Sequence, residues 1–397
     1  MRRPPLSIYL ESAQAGIACG LRDDRGVVQL RLNNVETTGA VDFARHAKIP
    51  RSAVPPELLL RAGDVLFTNT NSVELVGKTA YFAGHAEDTT FSNHITRLRV
   101  RSDKLDPHYL AYWLQHLWRA GVFASMCDRW IGQAAVQRTK LEALEILVPS
   151  LDDQRRIAVR LKAQLAEINT AREAAHAQAC DISLLRRRVL AEVFATVEDA
   201  PRKRLGDHAH TTSGSTPPRG VKAYWAPAEV PWVKTGEVAF APIARTEEAV
   251  SQRALAECSL TLLPPGTVLV AMYGQGKTRG QSAILEVAAT TNQACFAILP
   301  NDTWEPSFLF HWLMASYHDL RELSEGRGGN QANLNGALLN AMEVPAASRT
   351  QQAAIARRAQ AALRDVEDLA AANQAQRAEL ERLPQRLLAQ AFGHQGD

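Results

Sequence analysis

The stretch Val148-Pro149, followed by Gln154-Arg155-Arg156-Ile157, recurs in the second half of the chain as Val344-Pro345, followed by Gln352-Ala353-Ala354-Ile355. Each copy leads into a segment whose apolar residues fall three or four positions apart, or at whole helical turns. Ile157 and Ile355 are 198 positions apart, and so are Phe194 and Phe392. This constant offset predicts two long helices of the same register, one after each half of the chain.

The apolar stripe of each predicted helix indicates what the helix packs against. The first stripe consists of Ile157, Leu161, Leu165, Ile168, Ile182, Leu185, Val189 and Phe194, and the second of Ile355, Ala359, Leu363, Val366, Leu380, Leu383, Leu387 and Phe392. One stripe alone would suit a core helix of a larger domain, whereas two stripes in one register favour an antiparallel pair. Asp152 or Asp153 is expected to cap the first helix and Thr350 the second, and Pro201 to end the first connection. Pro384 predicts a kink or a local break in the second helix.

The segments that precede the helices repeat as well, which predicts two related globular heads. Gly63-Asp64-Val65-Leu66 corresponds to Gly266-Thr267-Val268-Leu269, and Tyr109–Leu114 corresponds to Phe308–Leu313. The offset between the heads drifts between 196 and 203, as loops of different length would cause. Short strands are predicted at 65–67, 95–98, 268–270 and 294–298, and amphipathic helices at 108–118 and 306–316. The segments 128–145 and 325–343 are expected to be loop-rich and to return as a short strand that ends at the Val-Pro.

These repeats predict an α+β chain with a pseudo-two-fold internal repeat. Two α/β heads are each followed by a long helix, and the helices pack as an antiparallel, coiled-coil-like pair. The expected boundaries are 1–150 for the first head, 151–197 for the first helix, 198–348 for the second head and 349–397 for the second helix.

Composition limits the classes of protein that remain. The chain has 397 residues, of which 46% are apolar, and a formal net charge of only +3, so it is expected to fold and to place its cations locally. The five cysteines include no CxxC pair, which favours reduced thiols over a disulfide scaffold or a zinc site. No segment approaches the ~18 apolar residues of a membrane span. A cytoplasmic protein without a membrane partner is expected.

One segment resembles the phosphate-binding loop of nucleotide-binding proteins. Ala271–Thr278 follows an apolar strand and ends in Gly-Lys-Thr, and Gly77-Lys78-Thr79 lies at the same place in the first head. A true phosphate loop opens directly into a helix, whereas Gly280 would spoil the first turn here. The sequence contains no HExxH or GxSxG motif, so it offers no assembled catalytic set. A phosphate-loop ATPase or nuclease remains one alternative, and a scaffold that does not bind nucleic acid remains another.

Polar and glycine-rich loops recur at matching places in both heads. Their Arg, Lys, Asn and Gln side chains match the donors and acceptors of base edges and phosphates, although such stretches are also ordinary turns. The candidate DNA-binding residues are Arg31, Asn33, Asn34, Thr68, Asn69, Asn71, Lys78, Arg129, Gln133 and Arg138 in the first head, and Ser215, Thr216, Arg219, Lys234, Thr235, Tyr273, Gln275, Lys277, Arg279, Arg327, Asn330 and Gln331 in the second.

In the order of its motifs the chain resembles the specificity subunits of type I restriction–modification systems. The motifs that carry the resemblance are Gly214-Ser215-Thr216-Pro217, Tyr224-Trp225, Pro231–Glu237, Gly266–Leu269, Thr291-Asn292-Gln293-Ala294, the Val-Pro transitions into each helix and the closing Arg386–Phe392. The likeness covers essentially the whole chain. The first head departs from it, because Ser12–Gly20 stands where a Gly-x-Thr-Pro segment is expected.

The resemblance implies a function and a set of partners. Each head would be a target-recognition domain that reads one half of a split, asymmetric site in double-stranded DNA, without catalysis by this chain. The helices would set the gap between the half-sites and dock two methyltransferase (modification) subunits, through Ile157, Leu161, Leu185, Ile355, Leu363 and Leu383. The resemblance places S-adenosylmethionine in those subunits, and ATP and Mg²⁺ in restriction subunits that translocate DNA, so that this chain needs no cofactor or metal of its own.

Overall fold

A computed structural model describes residues 4–274, 276–325 and 333–393 of the chain. The chain divides into two compact units, and the boundaries between them fall within the two long helices. The first unit combines Met1–His176 with Ala375–Asp397, and the second consists of Ala177–Gln374. Each unit therefore contains one predicted head and one half of each long helix.

The first unit is built from short strands and helices in front of a long helix. Its strands are β1 Leu10–Ala15, β2 Val27–Leu30, β3 Ala47–Ile49, β4 Val65–Thr68, β5 Thr70–Asn71, β6 Thr79–Tyr81, β7 Thr89–Phe91, β8 Ile95–Val100, β9 Asp128–Trp130 and β10 Gln133–Ala135. Its helices are α1 Pro107–Arg119, α2 Val122–Met126, α3 Arg138–Glu142 and the first half of α4 Leu151–Ala195, with 3-10 turns at Leu6–Tyr9, Arg51–Ala53 and Pro56–Leu58. The strands form three sheets in the orders β1-β8-β4-β6, β3-β2-β7 and β5-β10-β9.

The second unit repeats this plan. Its strands are β11 Arg202–Arg204, β12 Thr211–Ser213, β13 Val230–Val233, β14 Pro242–Ile243, β15 Glu248–Val250, β16 Val268–Ala271, β17 Ser282–Leu285, β18 Thr290–Thr291, β19 Cys295–Ile298 and β20 Glu343–Pro345. Its helices are α5 Leu205–His208, α6 Gln252–Glu257, α7 Pro306–Ala315, α8 Tyr317–Glu325, α9 Gly336–Asn340 and the first half of α10 Arg349–Phe392, with 3-10 turns at Lys222–Tyr224 and Thr235–Glu237. The sheet orders are β12-β19-β16-β17-β14, β15-β13-β18 and β11-β20.

The main sheets of the two units correspond in four strands, and the three-stranded sheets that contain a parallel pair also correspond. β4 lies between β8 and β6 as β16 lies between β19 and β17, and the parallel pair β2–β7 corresponds to the parallel pair β13–β18. A Cβ atom on Gly16 would lie 2.1 Å from the carbonyl oxygen of Phe91, and one on Gly214 would lie 1.8 Å from that of Thr291. Both positions therefore require glycine. Gly16 is the counterpart of Gly214, although the residues that follow it differ.

A buried glutamine attaches the first turn of each long helix to its own unit. Gln154 is fully buried, and its Oε1 accepts a hydrogen bond from the Asp106 N–H (2.8 Å) at the start of α1. Its Nε2 donates to the carbonyl oxygens of Lys104 (3.1 Å) and Pro149 (2.8 Å). The amide thus satisfies three backbone groups that would otherwise be buried without partners.

Gln352 makes the same contacts in the second unit. It is also fully buried, and its Oε1 accepts from the Glu305 N–H (2.7 Å) at the start of α7. Its Nε2 donates to Thr303 O (2.8 Å) and Ala347 O (2.7 Å). The repeated glutamine of the Val-Pro stretch therefore has a structural role in both copies.

The far ends of the helices show that α4 and α10 pack antiparallel, as predicted. In the first unit the end of α10 lies in the core with the beginning of α4, and the Phe392 ring contacts the Tyr109 ring with centroids 5.3 Å apart. In the second unit the end of α4 lies with the beginning of α10, and the Phe194 ring contacts Phe308 at 5.5 Å. Each unit thus encloses the start of one long helix and the end of the other.

Several local predictions need correction. α4 begins at Leu151 and α10 at Arg349, and Ser150 and Ser348 accept the first-turn N–H groups in place of Asp152, Asp153 or Thr350. α10 continues as a helix through Pro384, so the local break is absent. The segment 128–145 is not loop-rich, because it forms the β9–β10 hairpin and α3. The strand that ends at the Val-Pro is present as β20 in the second unit only.

Replacing Gln352 by alanine should lower the free energy of unfolding by about 2–4 kcal/mol, because one buried N–H and two buried C=O groups would lose their partner. Urea unfolding of the full chain, followed by circular dichroism, measures the change. Arg358→Ala, at an exposed position of the same helix, is the control and should stay within about 0.5 kcal/mol of wild type. Equal midpoints for Gln352→Ala and wild type would contradict the role assigned to the glutamine.

Candidate nucleic-acid interface

The loops that follow the parallel strands β2 and β7 form the first part of the candidate interface in the first unit. Arg31 and Asn33 follow β2 and line a cavity of about 510 Å³ together with Asn93 and His94, which follow β7. The carboxyl ends of neighbouring parallel strands meet at one edge of a sheet, so these side chains are brought together although about sixty residues separate them in sequence. Asn33 is exposed and Arg31 is half-buried.

Asn69 connects this cavity to a second group of loops. Its Nδ2 donates to Asn93 O (3.1 Å), and its backbone N–H donates to His94 O (3.0 Å). The next residues form β5, in which Asn71 pairs with Ala134 of β10. The β9–β10 hairpin therefore lies beside the loop after β4, and its exposed residues Arg129 and Gln133 adjoin the predicted set.

Arg138 lies on the first turn of α3 and is held by the protein. Its guanidinium donates to Ala13 O (3.3 Å) and lies 3.6 Å from the Glu142 carboxylate, yet the residue remains exposed. Of the ten residues predicted in the first unit, the contacts join Arg31, Asn33, Asn69, Asn71, Arg129 and Gln133 into one continuous array.

The second unit gathers its polar residues at the corresponding edge. Thr216 Oγ1 donates to Gln293 Oε1 (2.5 Å), and Thr235 Oγ1 donates to Asn292 Oδ1 (2.8 Å). The Ser215 N–H donates to Thr291 O (3.0 Å), as the Ile17 N–H donates to Phe91 O in the first unit. The residues after β18 therefore organise the loops after β12 and β13.

Two carboxylates balance the cations at this edge. Lys234 Nζ lies 2.6 Å from Glu247 Oε2 and 3.1 Å from Glu248 Oε1, and these contacts raise the pKa of the lysine. Arg219 also pairs with Glu248, which lowers the pKa of that carboxyl, and the guanidinium stacks 3.8 Å from the centre of the Trp225 ring. Because these ion pairs are at least partly exposed, an incoming phosphate can compete with the carboxylates for both cations.

Tyr273 and Lys277 lie on a separate loop that joins β16 to β17. Both are exposed, and the backbone of the loop is held by the Tyr317 hydroxyl on Lys277 O (2.7 Å) and by Arg321 Nη1 on Gly276 O (2.7 Å). The described residues after Lys277 enter the strand β17, so the loop does not open directly into a helix as it would in a phosphate-loop NTPase.

The similarity between Gly77-Lys78-Thr79 and Gly276-Lys277-Thr278 is a coincidence of register. In the first unit, Gly77 N–H donates to Thr68 O, and Thr68 N–H donates to Lys78 O. In the second unit, Gly280 N–H donates to Ala271 O, and Ala271 N–H donates to Gln281 O. Lys78 therefore corresponds to Gln281, not to Lys277.

Four predicted DNA contacts are buried, and the structure corrects these predictions. Asn34 donates to Asp42 O and Arg45 O and accepts from the Arg31 N–H, so its amide nitrogen and its amide oxygen both bond within its own loop. Thr68 donates to carbonyl groups of the same unit. Lys78 does likewise, and burial lowers its pKa. Arg279 is only 8% exposed. In this conformation none of the four presents its side chain to an outside ligand.

The six predicted partner-binding residues divide in the same way. Leu161, Ile355 and Leu363 are buried in the cores of their own units, so the prediction that they contact a partner is wrong for this conformation. Ile157 and Leu383 are half-buried, and Leu185 is 39% exposed. The apolar stripe of the sequence therefore marks mainly the intramolecular core.

Gln275, Arg327, Asn330 and Gln331 lie outside the described residues. Five further residues lie at the candidate interface without being among the predicted contacts, namely Asn93, His94, Asn292, Gln293 and Trp225. Three of them belong to the motifs Thr291-Asn292-Gln293-Ala294 and Tyr224-Trp225. Across residues 4–274, 276–325 and 333–393, no three His, Cys, Asp or Glu side chains gather as metal ligands. No helix in those ranges is long and apolar enough to cross a membrane.

Comparisons with known proteins agree with the duplicated architecture. Two curated relatives come from Methanocaldococcus jannaschii. The putative type I restriction enzyme MjaX specificity subunit is 34% identical over 96 residues, which are 24% of this chain and 23% of the relative. The MjaIX specificity subunit is 30% identical over 161 residues, which are 39% of this chain and 35% of the relative. The matched segments thus span about a third or less of each relative.

A solved structure and a family model cover far more of the chain. A chain from a structure that describes the assembly and conformational transition of the type I R-M system aligns over 98% of this chain and 97% of its own length, with a TM-score of 0.79 at 20% identity. At that identity the likeness shows the fold. The model of the type I restriction modification DNA specificity domain matches residues 56–175 and 198–382. These two matches together span most of the sequence, and the chain therefore belongs to the type I restriction modification DNA specificity domain family.

Proposed function

We propose that this chain is the non-catalytic DNA specificity subunit of a type I restriction–modification enzyme. The observation that carries the proposal is the duplicated interface. Both units place polar loops at the same edge of equivalent sheets. The side chains differ, because Arg31 and Asn33 of the first unit correspond to Lys234 and Gly236 of the second. Two similar frameworks with different side chains suit two different half-sites of one asymmetric DNA sequence.

The long helices supply the second part of the proposal. α4 and α10 are continuous over 45 and 44 residues, and each begins in one unit and ends in the other. Their outer faces carry exposed apolar side chains, namely Val159, Leu184, Leu185 and Leu369. We infer that these faces dock two modification subunits, because apolar surface of this kind is stabilised by a partner. Helices of fixed length would set the gap between the half-sites.

The proposed division of labour places the chemistry in the partners. The modification subunits would bring S-adenosylmethionine, and restriction subunits would bring ATP and Mg²⁺. A modest net charge of +3 suits a chain that shares phosphate neutralisation with other subunits. The rival interpretation as a phosphate-loop enzyme receives no support, because the loop after β16 leads into a strand.

Methylome sequencing of a host with and without the gene tests the function directly. We expect one bipartite, asymmetric motif to lose methylation when the gene is deleted and to regain it on complementation. The purified chain alone should neither methylate nor cleave DNA. Nuclease activity of the pure chain with Mg²⁺, lost on mutation of one of its own carboxylates, would contradict the proposal.

Lys277→Ala should weaken duplex binding about equally for all sequences and lower the slope of log K against log salt by about one unit. The reason is that the exposed lysine would neutralise one phosphate. Fluorescence anisotropy of the assembled complex, measured from low to moderate salt, gives the slope. The control is Lys222→Ala, which removes an exposed lysine outside the predicted set. Lys78 is buried and is therefore unsuited as a control. An unchanged slope for Lys277→Ala, or ATP binding that this change abolishes, would contradict the assignment.

Deleting 174–177 together with 372–375 should shorten the gap between half-sites by a little under two base pairs. Four residues span about 6 Å of helix and about one turn, so the apolar stripes stay nearly in register. Methylome sequencing should show both half-sites unchanged. Altered half-sites with an unchanged gap would show that the helices do not set the spacing.

A further inference from the structure

The tip of the β9–β10 hairpin exposes two large apolar side chains next to each other. Trp130 is 63% exposed and Ile131 is fully exposed, at 105% of its reference area. Single exposed apolar residues are common on protein surfaces, but an indole beside a branched aliphatic side chain at a two-residue turn is an unfavourable arrangement in water. The pair is therefore expected to be covered when the protein binds its partner.

The base of the hairpin is anchored, so the tip projects from a fixed support. The Asp128 carboxylate accepts from Lys140 Nζ (2.7 Å) and from Gln137 Nε2 (2.7 Å). Ala134 is fully buried and pairs with both neighbouring strands. A tip held in this way can be inserted into a partner without first being ordered, which lowers the entropic cost of binding.

The surroundings of the tip indicate which partner covers it. Trp130 pairs across the hairpin with Gln133, Arg129 precedes it, and β10 pairs with Asn71 of β5. The apolar pair is thus continuous with the candidate nucleic-acid interface and is flanked by an exposed cation and an exposed amide. Stacked bases offer an apolar interior bordered by phosphates and polar edges, which complements this arrangement.

We propose that Trp130 and Ile131 form an apolar wedge that enters between two adjacent base pairs in the half-site read by the first unit. The inference rests on the proposed function and adds a readout by DNA deformability to that by polar contacts. Aliphatic side chains separate base steps in this way, and stacking of a base on the indole offsets the lost base stacking. A flexible pyrimidine–purine step at the insertion point is the favoured substrate.

The wedge belongs to one half-site only. With the offset of 198, which relates Leu141 to Leu339, Trp130 and Ile131 correspond to Gly328 and Gly329, whereas Gln133 corresponds to Gln331. The second copy thus keeps the glutamine and carries no side chain that could unstack bases at these positions. The half-site read by the second unit therefore serves as an internal control for the half-site read by the first.

The test uses the full chain assembled with its modification subunits on a duplex that carries the motif found by methylome sequencing. Permanganate, which oxidises unstacked thymines, should oxidise a thymine at one base step in one half-site of the wild-type complex. Thymines paired with the methylated base are left out of the comparison. Trp130→Ala and Ile131→Ala should abolish this reactivity and weaken binding about 10-fold, the range expected for loss of one stacking side chain. The salt slope should not change, because no phosphate contact is lost.

Two matched variants separate the wedge from other causes. Arg129→Ala, one residue away, should lower the salt slope by about one unit and leave the permanganate pattern intact if it contacts a phosphate. Ile8→Ala, at another exposed position of the same unit, should change neither quantity. All variants should unfold at the wild-type temperature, since the altered side chains are exposed.

Four results would overturn the wedge. Specific binding by the wild-type complex without a reactive step, or with a step that both variants retain, would exclude it. Loss of assembly with the modification subunits in Trp130→Ala would identify the tip as a protein-docking surface instead. If the wild-type complex showed no sequence-specific binding at all, the proposed function would fail, and the wedge with it.

Discussion

A fully buried glutamine amide at the first turn of each long helix is the interaction on which the arrangement depends. Gln154 and Gln352 each satisfy three backbone groups, one of them at the start of the head's own helix, α1 or α7. Buried polar groups without partners are costly, so the amide fixes where the long helix leaves the head. The direction of a helix of more than forty residues is therefore set in its first turn.

The same constraint explains why neither head is complete with its own sequence alone. A helix that is fixed at one end and continues for 45 residues cannot bury its far end in the unit where it began. Phe194 instead packs against Phe308 and Phe392 against Tyr109, so each core is completed by the end of the other helix. The two units exchange helix ends, and the duplication that is visible in the sequence becomes a mutual dependence in the fold.

The interface follows a division between framework and variable positions. Gly16 and Gly214 occupy corresponding sites of close backbone approach, and the parallel pairs β2–β7 and β13–β18 bring the same loops together in both units. On this common framework the exposed side chains differ. Cations at the second edge are balanced by Glu247 and Glu248, whereas the hairpin of the first unit projects Trp130 and Ile131. A shared backbone framework with different exposed side chains is what the proposed reading of two different half-sites requires.

The sequence by itself determined the internal repeat, the register of the two helices, their antiparallel pairing and the family, because apolar periodicity and motif order depend only on residue spacing. It could not separate exposed from buried polar residues within a loop. Asn34, Thr68 and Lys78 carry side chains that could contact DNA, but these side chains donate hydrogen bonds to backbone carbonyl oxygens that the fold brings near. Likewise, only the backbone hydrogen bonds show that Lys78 is equivalent to Gln281, so that the two Gly-Lys-Thr segments do not correspond. Whether a donor faces outward depends on backbone groups distant in sequence, and only the tertiary structure fixes where those groups lie.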